Sequence, residues 1–513
     1  MKASRFAGCL VVALAVVGAG PAEAQRKPPP QLLVSVAVGP DHTLDSARAF
    51  ANAIQPGAGM ALTGAVMRQQ LAGRVTATSL DGLDENSAMY VLSVDGGPAL
   101  KGMVVVGRIA DDVKLKQSVA PAHLVKKNAW AVIGPKVVAE KMAPYAFASL
   151  AGQAISGPPV ITVYTANLMT RFKAEIADAR KQMLGGLGAA GGGQMTELMQ
   201  TYVDGLLSAL SDSDHVQITF DFTKSVGAVD FALVPRPGTR LAKVIALQRP
   251  ADYALVGKLP ATGAPVLAAG RLDAGPYRAG MLEAMTQLYG PGTPKAMASA
   301  LGAILKSATG DFAMAMQTMG GKGMAVTQLF GVTDAKATDK AIGQLLDAFK
   351  KPQSMTMMGM TITQTTSTRP ITHDGVAIRG YDVVYDFSKA PPETKASMGT
   401  MIPSTGLAAR GATFDQLGVV AMSADGAAGV AAAIDAARGK GKRYAPTAQI
   451  ADFLAGSRAR KESLAMVMDL GALMGTGGSG RPVMVSLGFA DKRGHLRLTL
   501  PAATIRGLAG GMP

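Results

Sequence analysis

Residues 87–111 read SAMYVLSVDGGPALKGMVVVGRIAD, and residues 310–334 read GDFAMAMQTMGGKGMAVTQLFGVTD. Each has an apolar run, a Gly-Gly step, a Gly-Met restart, a second apolar run and a closing Asp. Apolar, β-competent runs flanking a glycine turn predict a hairpin. Aligned by eye, Gly96 and Gly97 fall on Gly320 and Gly321, Gly102-Met103 on Gly323-Met324, and Asp111 on Asp334. The likeness continues along the chain. AWAVIGPKVVAEKM parallels LGVVAMSADGAAGVAAAI, PPVITVYTANLMTRF parallels ESLAMVMDLGALMG, and HVQITFDFTKSVGAVDFALV parallels PVMVSLGFADKRGHLRLTL.

Between these segments the period changes from two to 3.6. In DAKATDKAIGQLLDAFKKP, Ile342, Leu345, Leu346 and Phe349 share one helical face, with Asp334 placed to cap the start and Lys350, Lys351 and Pro352 to end it. MTELMQTYVDGLLSALS repeats that pattern. Hairpins alternating with amphipathic helices predict an α+β fold: antiparallel sheets with helices packed on them. The parallels divide the chain into two related units, about 25–245 and 246–513. The second carries an insertion at about 352–415, which contains a long hairpin turning at Asp374-Gly375.

The first residues read as an address. Lys2 and Arg5 precede the apolar stretch CLVVALAVVGAG, too short for a membrane span, and Ala22-Glu23-Ala24 supplies small residues for a signal peptidase. Residues 1–24 are thus expected to be a signal peptide, giving a periplasmic or extracellular protein. Cys9, the only cysteine, precedes the apolar stretch and leaves with it. No later apolar run is long and charge-free enough to span a bilayer. The full chain holds 51 basic and 36 acidic residues; without Lys2, Arg5 and Glu23 the balance is 49 against 35, or +14. That favours anionic partners such as lipid head groups or cell-wall polymers. Aromatics make up 5% of the chain, with Trp130 the sole tryptophan, which disfavours nucleic acid because single-strand binders stack bases on aromatic rings.

Methionines are dense in the second hairpin and in SMTMMGM. Thioethers are soft ligands for copper(I). In the alignment, however, Met314 falls on Tyr90, Met316 on Leu92 and Met324 on Met103, so core packing is the expected role. For a metal, Met355, Met357, Met358 and Met360 are the better placed set. Two stretches match G-x-G-x-x-G: Gly186, Gly188 and Gly191, and Gly475, Gly477 and Gly480. Neither joins a strand to a helix as a dinucleotide site requires, so both are expected to be connectors and no cofactor is implied. His42, His123, His215, His373 and His495 form no ligand spacing, no catalytic motif is present, and Asp95, Asp111 and Asp334 sit where turns and helix caps explain them. One basic cluster stands out: Arg438, Lys440, Lys442, Arg443, Arg458, Arg460 and Lys461, within 24 residues and separated by Ile450, Phe453 and Leu454. It is the candidate anion-binding surface.

Leu259-Pro260, the strand GDFAMAM and the step GVTDAKATDKAI give residues 250–350 a pattern that resembles an uncharacterised family of exported bacterial proteins with a domain of unknown function. The resemblance implies an envelope location and no catalytic residues. The reading is of an exported, non-enzymatic binding or scaffold protein contacting anionic envelope components. The alternative is a carrier for a lipid or other apolar ligand; a hydrolase or copper(I)-binding protein stands further off.

Overall fold

The computed structural model describes residues 27–153, 155, 159–191, 193–273, 275, 282, 295–318, 324–348, 353–357, 360–366, 371–388, 390, 392, 406–473 and 482–509. The expected signal peptide, Cys9, Gly320-Gly321 and the second glycine stretch lie outside the described residues. The fold is α+β, and the strands of both units pair antiparallel. Two compact units form. One comprises Met1–Ile176, Ser208–Ala242 and Lys492–Pro513, and the other Ala177–Leu207 and Lys243–Asp491. This division is not the linear one expected from the sequence parallels. The end of the chain joins the first unit because its last strand pairs there.

In the first unit the strands are β1 (Leu32–Val38), β2 (Met89–Asp95), β3 (Lys101–Arg108), β4 (His123–Lys127), β5 (Trp130–Gly134), β6 (Val160–Val163), β7 (Ser213–Phe222), β8 (Val226–Pro235) and β20 (Gly494–Pro501). Pairing orders them β4-β5-β3-β2-β1-β6-β7-β8-β20. β20 is tied across by Arg497 to Asp221 at 2.6 Å and by Arg493 to Gln217 at 3.2 Å. The helices include α1 (Asp45–Ile54), α2 (Gly64–Arg74), α3 (Asp112–Ser118) and α4 (Lys136–Ser149). α4 lays Val138, Met142 and Ala146 on Tyr90, Leu92, Val104 and Val132. The opposite sheet face is closed too: Leu71 of α2, Val75 just beyond its end and Leu115 of α3 cover Val91, Val105 and Ile133. Strand alternation puts these two sets on opposite faces. Asp111 caps α3, accepting from the backbone N–H groups of Val113 and Lys114, both at 3.0 Å.

The second unit contains β9 (Val266–Arg271), β10 (Ala308–Thr318), β11 (Met324–Val332), β12 (Gln353–Met357), β13 (Met360–Thr366), β14 (Ile371–His373), β15 (Val376–Asp386), β16 (Leu407–Phe414), β17 (Leu417–Ser423), β18 (Glu462–Asp469) and β19 (Pro482–Gly488). Their order is β12-β13-β15-β16-β17-β11-β10-β9-β18-β19, with β14 also on β15. Its helices include α5 (Lys295–Ser307), α6 (Ala335–Ala348), α7 (Gly426–Arg438) and α8 (Ala448–Ala459). α7 and α8 bury Val430, Ile434, Phe453 and Leu454 against Ala313, Ala315, Leu329 and Val419. Asp334 caps α6 through the N–H of Ala337 at 2.9 Å. The insertion supplies the expected hairpin. His373 pairs with Val376 across Asp374 and Gly375, whose φ angles of +49° and +77° suit a two-residue turn of the primed kind.

The first glycine stretch departs from expectation. Gly186, Gly188 and Gly191 are not a connector but lie within the helix Lys173–Gly191, which is followed by the helix Gly193–Asp212. Arg180 and Asp204 join the two by a bidentate pair at 2.6 and 2.8 Å, and the intervening Leu and Ala are good helix formers. No described helix is long and apolar enough to cross a membrane.

Candidate functional site

The basic cluster does not form one free surface. Arg438 ends α7, where Gly439 takes a left-handed cap at φ +78°. Its guanidinium clamps two tight turns, reaching Asp374 at 2.7 Å and Asp415 at 2.8 Å while lying over the Phe414 ring at 5.4 Å. Lys440 joins Asp374 at 2.6 Å. Lys440 and Arg438 together hold the Asp374 carboxyl down at about 2, and the two carboxylates push Arg438 further up. Arg443 donates to the Ala436 carbonyl at 2.9 Å, Arg458 to the Asp252 carbonyl at 3.1 Å, and Arg460 pairs with buried Glu462 at 2.8 Å. Lys442 and Lys461 are exposed, with no ion pair among the described residues. Three of the seven cations therefore have carboxylate partners inside the unit.

The histidines are scattered. His123, His215, His373 and His495 each lie beside a single carboxylate, Glu140, Asp214, Asp435 and Asp230. Among the described residues no group of three or more His, Cys, Asp or Glu is placed to hold a metal. Asp95 is buried in the first unit. Burial would raise its pKa, but the Gly97 N–H, Arg171 at 2.9 Å and Lys101 at 3.4 Å hold the carboxyl below its ordinary value. Burial pushes the Tyr90 phenol up to about 12. These features lock local structure.

The methionines assemble a different surface. β10 alternates: Ala313 and Ala315 enter the core beneath α7 and α8, so Met314 and Met316 stand on the opposite face, half-buried. The core role expected for them is thus corrected by one position. Asp95↔Lys101 in one hairpin and Thr318↔Met324 in the other close loops of equal length, so Val91, not Tyr90, occupies the place of Met314. A shift of one residue moves a side chain to the other face.

Register extends that face through five strands. Met468 of β18 lies opposite Val266 of β9, which lies opposite Met316, then Val326 of β11 and Met422 of β17. The adjacent row runs Met466, Ala268, Met314, Gln328 and Val420. Five strands span roughly 19 Å at the usual spacing. All five methionines are half-buried, Val420 is exposed, and the central Val266 and Ala268 are small and buried. One end of the wider sheet is packed, where Met297 and Leu301 of α5 meet Leu345 and Tyr381. The sequence flagged Met314 and Met316 but not Met422, Met466 or Met468; the alternation in ESLAMVMDL was the available signal. Of the insertion's methionines, Met355 and Met357 lie in β12 and Met360 in β13, their side chains outside the described set along with Met358.

Five of the ten side chains are methionine, unbranched and polarizable, set among three valines, Ala268 and Gln328, and neither row offers a titratable group. Such a surface adapts to flexible apolar ligands by repacking and does not perform acid–base chemistry. No family model matches this chain, and no curated protein or solved structure matches it.

Proposed function

We propose that this is an exported, non-enzymatic binding protein built from two copies of one α+β unit, in which the second copy holds an apolar, chain-like ligand against its methionine face. The duplication is supported by strand order. β4-β5-β3-β2-β1-β6-β7 in the first unit and β16-β17-β11-β10-β9-β18-β19 in the second run in the same sequence of connections. β12 to β15 are then the insertion.

The observation that carries the ligand reading is the contrast between the copies at one position. Val91 is 4% exposed beneath helices, whereas Met314 in the corresponding place is half-buried. The connection from β1 to β2 spans residues 39–88, and the one from β9 to β10 spans only 272–307. A shorter connection has less chain with which to cover the same face. Export rests on the N-terminal address.

The test is a native mass spectrum of the protein purified from its own host. A mature chain beginning at Gln25 and carrying a ligand removable by organic solvent is the expected result. A ligand-free mature chain that also fails to take up a long-chain fatty acid added afterwards would overturn the reading.

A further inference from the structure

Strand register carries the row of Met466, Met314 and Val420 two strands further on the same face. Val420 of β17 lies opposite Gly411 of β16, and Gly411 lies opposite Arg379 of β15. Ile378 and Ala412, their neighbours in sequence, enter the core beneath α7 and α8, so Arg379 and Gly411 belong to the methionine side of the sheet. Val420 is 39% exposed. Among the described residues, a Cβ added at Gly411 would meet only the Val419 carbonyl oxygen and Val420 Cγ2 within 4 Å, at 3.1 and 3.7 Å, so no helix side chain fills the space above it. The Arg379 side chain is 40% exposed and pairs with Asp339 of α6 at 2.9 Å through Nη1. Among the described residues its Nε and Nη2 have no hydrogen-bond partner. A planar guanidinium with one edge unused can take a carboxylate through that edge.

We propose that Arg379 anchors the head group of the ligand, and that the ligand is a long unbranched carboxylate, a fatty acid. Its carboxylate sits on Arg379, and its chain crosses the strands over Val420, Gln328 and Met314. This rests on the methionine-face reading and adds the charge, class and direction of the ligand. Four strand spacings of about 4.8 Å separate Arg379 from Met314, roughly 19 Å in all, so only a long chain reaches both the cation and the methionines. Charge complementarity selects an acid over a neutral lipid. Under an alcohol or a hydrocarbon the free guanidinium edge gains little, whereas a carboxylate accepts charge-assisted hydrogen bonds from it. Gln328, the other polar side chain in the row, carries no charge. Asp339 repels any incoming anion, and the exposed Lys336 and Lys340, within one turn of it on α6, offset part of that repulsion.

Calorimetric titration of the full mature chain, first stripped of ligand, tests this with palmitate and with hexadecan-1-ol, each delivered from cyclodextrin. The wild type is expected to bind palmitate about tenfold or more tighter than the alcohol, the scale of one charge-assisted contact. Arg379→Met keeps an unbranched side chain without the charge; it should bind the two equally, with the alcohol's affinity unchanged. Arg379→Lys should keep part of the preference. Asp339→Asn removes the competing carboxylate and should tighten palmitate alone. A wild type that binds both ligands equally, an Arg379→Met variant that still prefers palmitate or loses both together, or an Asp339→Asn variant that weakens palmitate would each overturn the head-group assignment and leave the methionine face standing. Binding of neither ligand to the wild type would remove the face itself, and this assignment with it.

Discussion

Leu329 and Met314 lie on neighbouring strands but on opposite faces, and truncating each separates a core position from a ligand surface. Leu329 is fully buried, opposite Ala313 on one side and Val419 on the other, beneath α7. Leu329→Ala removes its transfer free energy and leaves a cavity that the close-packed sheet cannot refill, at a cost of about 3–5 kcal/mol. Met314→Ala removes a side chain that is already partly in water, so about 1–2 kcal/mol is expected from the area lost. At roughly 2–4 °C per kcal/mol for a unit of this size, the first should lower the melting temperature by about 6–20 °C and the second by about 2–8 °C. Calorimetry on ligand-free protein reads both. Equal losses would place Met314 in the core and remove the basis for a binding face.

Other consequences follow from the same geometry. Asp374 has a depressed carboxyl, so its pairing with Lys440 and Arg438 stabilises the fold fully above about pH 4 and is lost as pH falls toward about 2. Asp374→Asn should therefore be less stable than wild type near neutrality, with the gap closing in acid; a gap that widens in acid contradicts the assignment. At Gly380 an added Cβ would lie 1.9 Å from the Ala409 carbonyl oxygen. Gly380→Ala should break the β15–β16 pairing at a cost of about 3 kcal/mol or more, while Gly343→Ala in α6, with its nearest neighbour at 3.7 Å, should be neutral or stabilising by up to about 1 kcal/mol. For anionic vesicles, changing Lys442, Arg443 and Lys461 to Ser should weaken salt-sensitive co-sedimentation, whereas Lys440→Ser should not, because Lys440 is held by Asp374. Equal partitioning of all three proteins would show that the cluster only solvates its loops.

Local structure was legible where neighbouring residues decide it. The Asp111 and Asp334 caps, the Asp374-Gly375 turn and the amphipathic α6 all follow from short-range spacing. The basic cluster was legible as composition but not as surface, because the partners of Arg438 lie 23 and 64 residues away in the chain. The first glycine stretch is helical against its local glycine content, and the Arg180–Asp204 pair that joins it to the next helix spans 24 residues of chain. The methionines turned on a single residue. Their alternation was visible, but the face they occupy depends on a loop count, and an offset of one exchanges core for surface.

The binding face is tested most directly by the methyl signals of carbon-13-labelled methionine in the full mature chain, first stripped of ligand and then titrated with palmitate. Met314, Met316, Met466 and Met468 should shift together, with one saturating midpoint, while Met142, fully buried under the first unit's sheet, stays fixed. If those four signals do not move, or Met142 moves as far as they do, the second unit's sheet is not the binding surface.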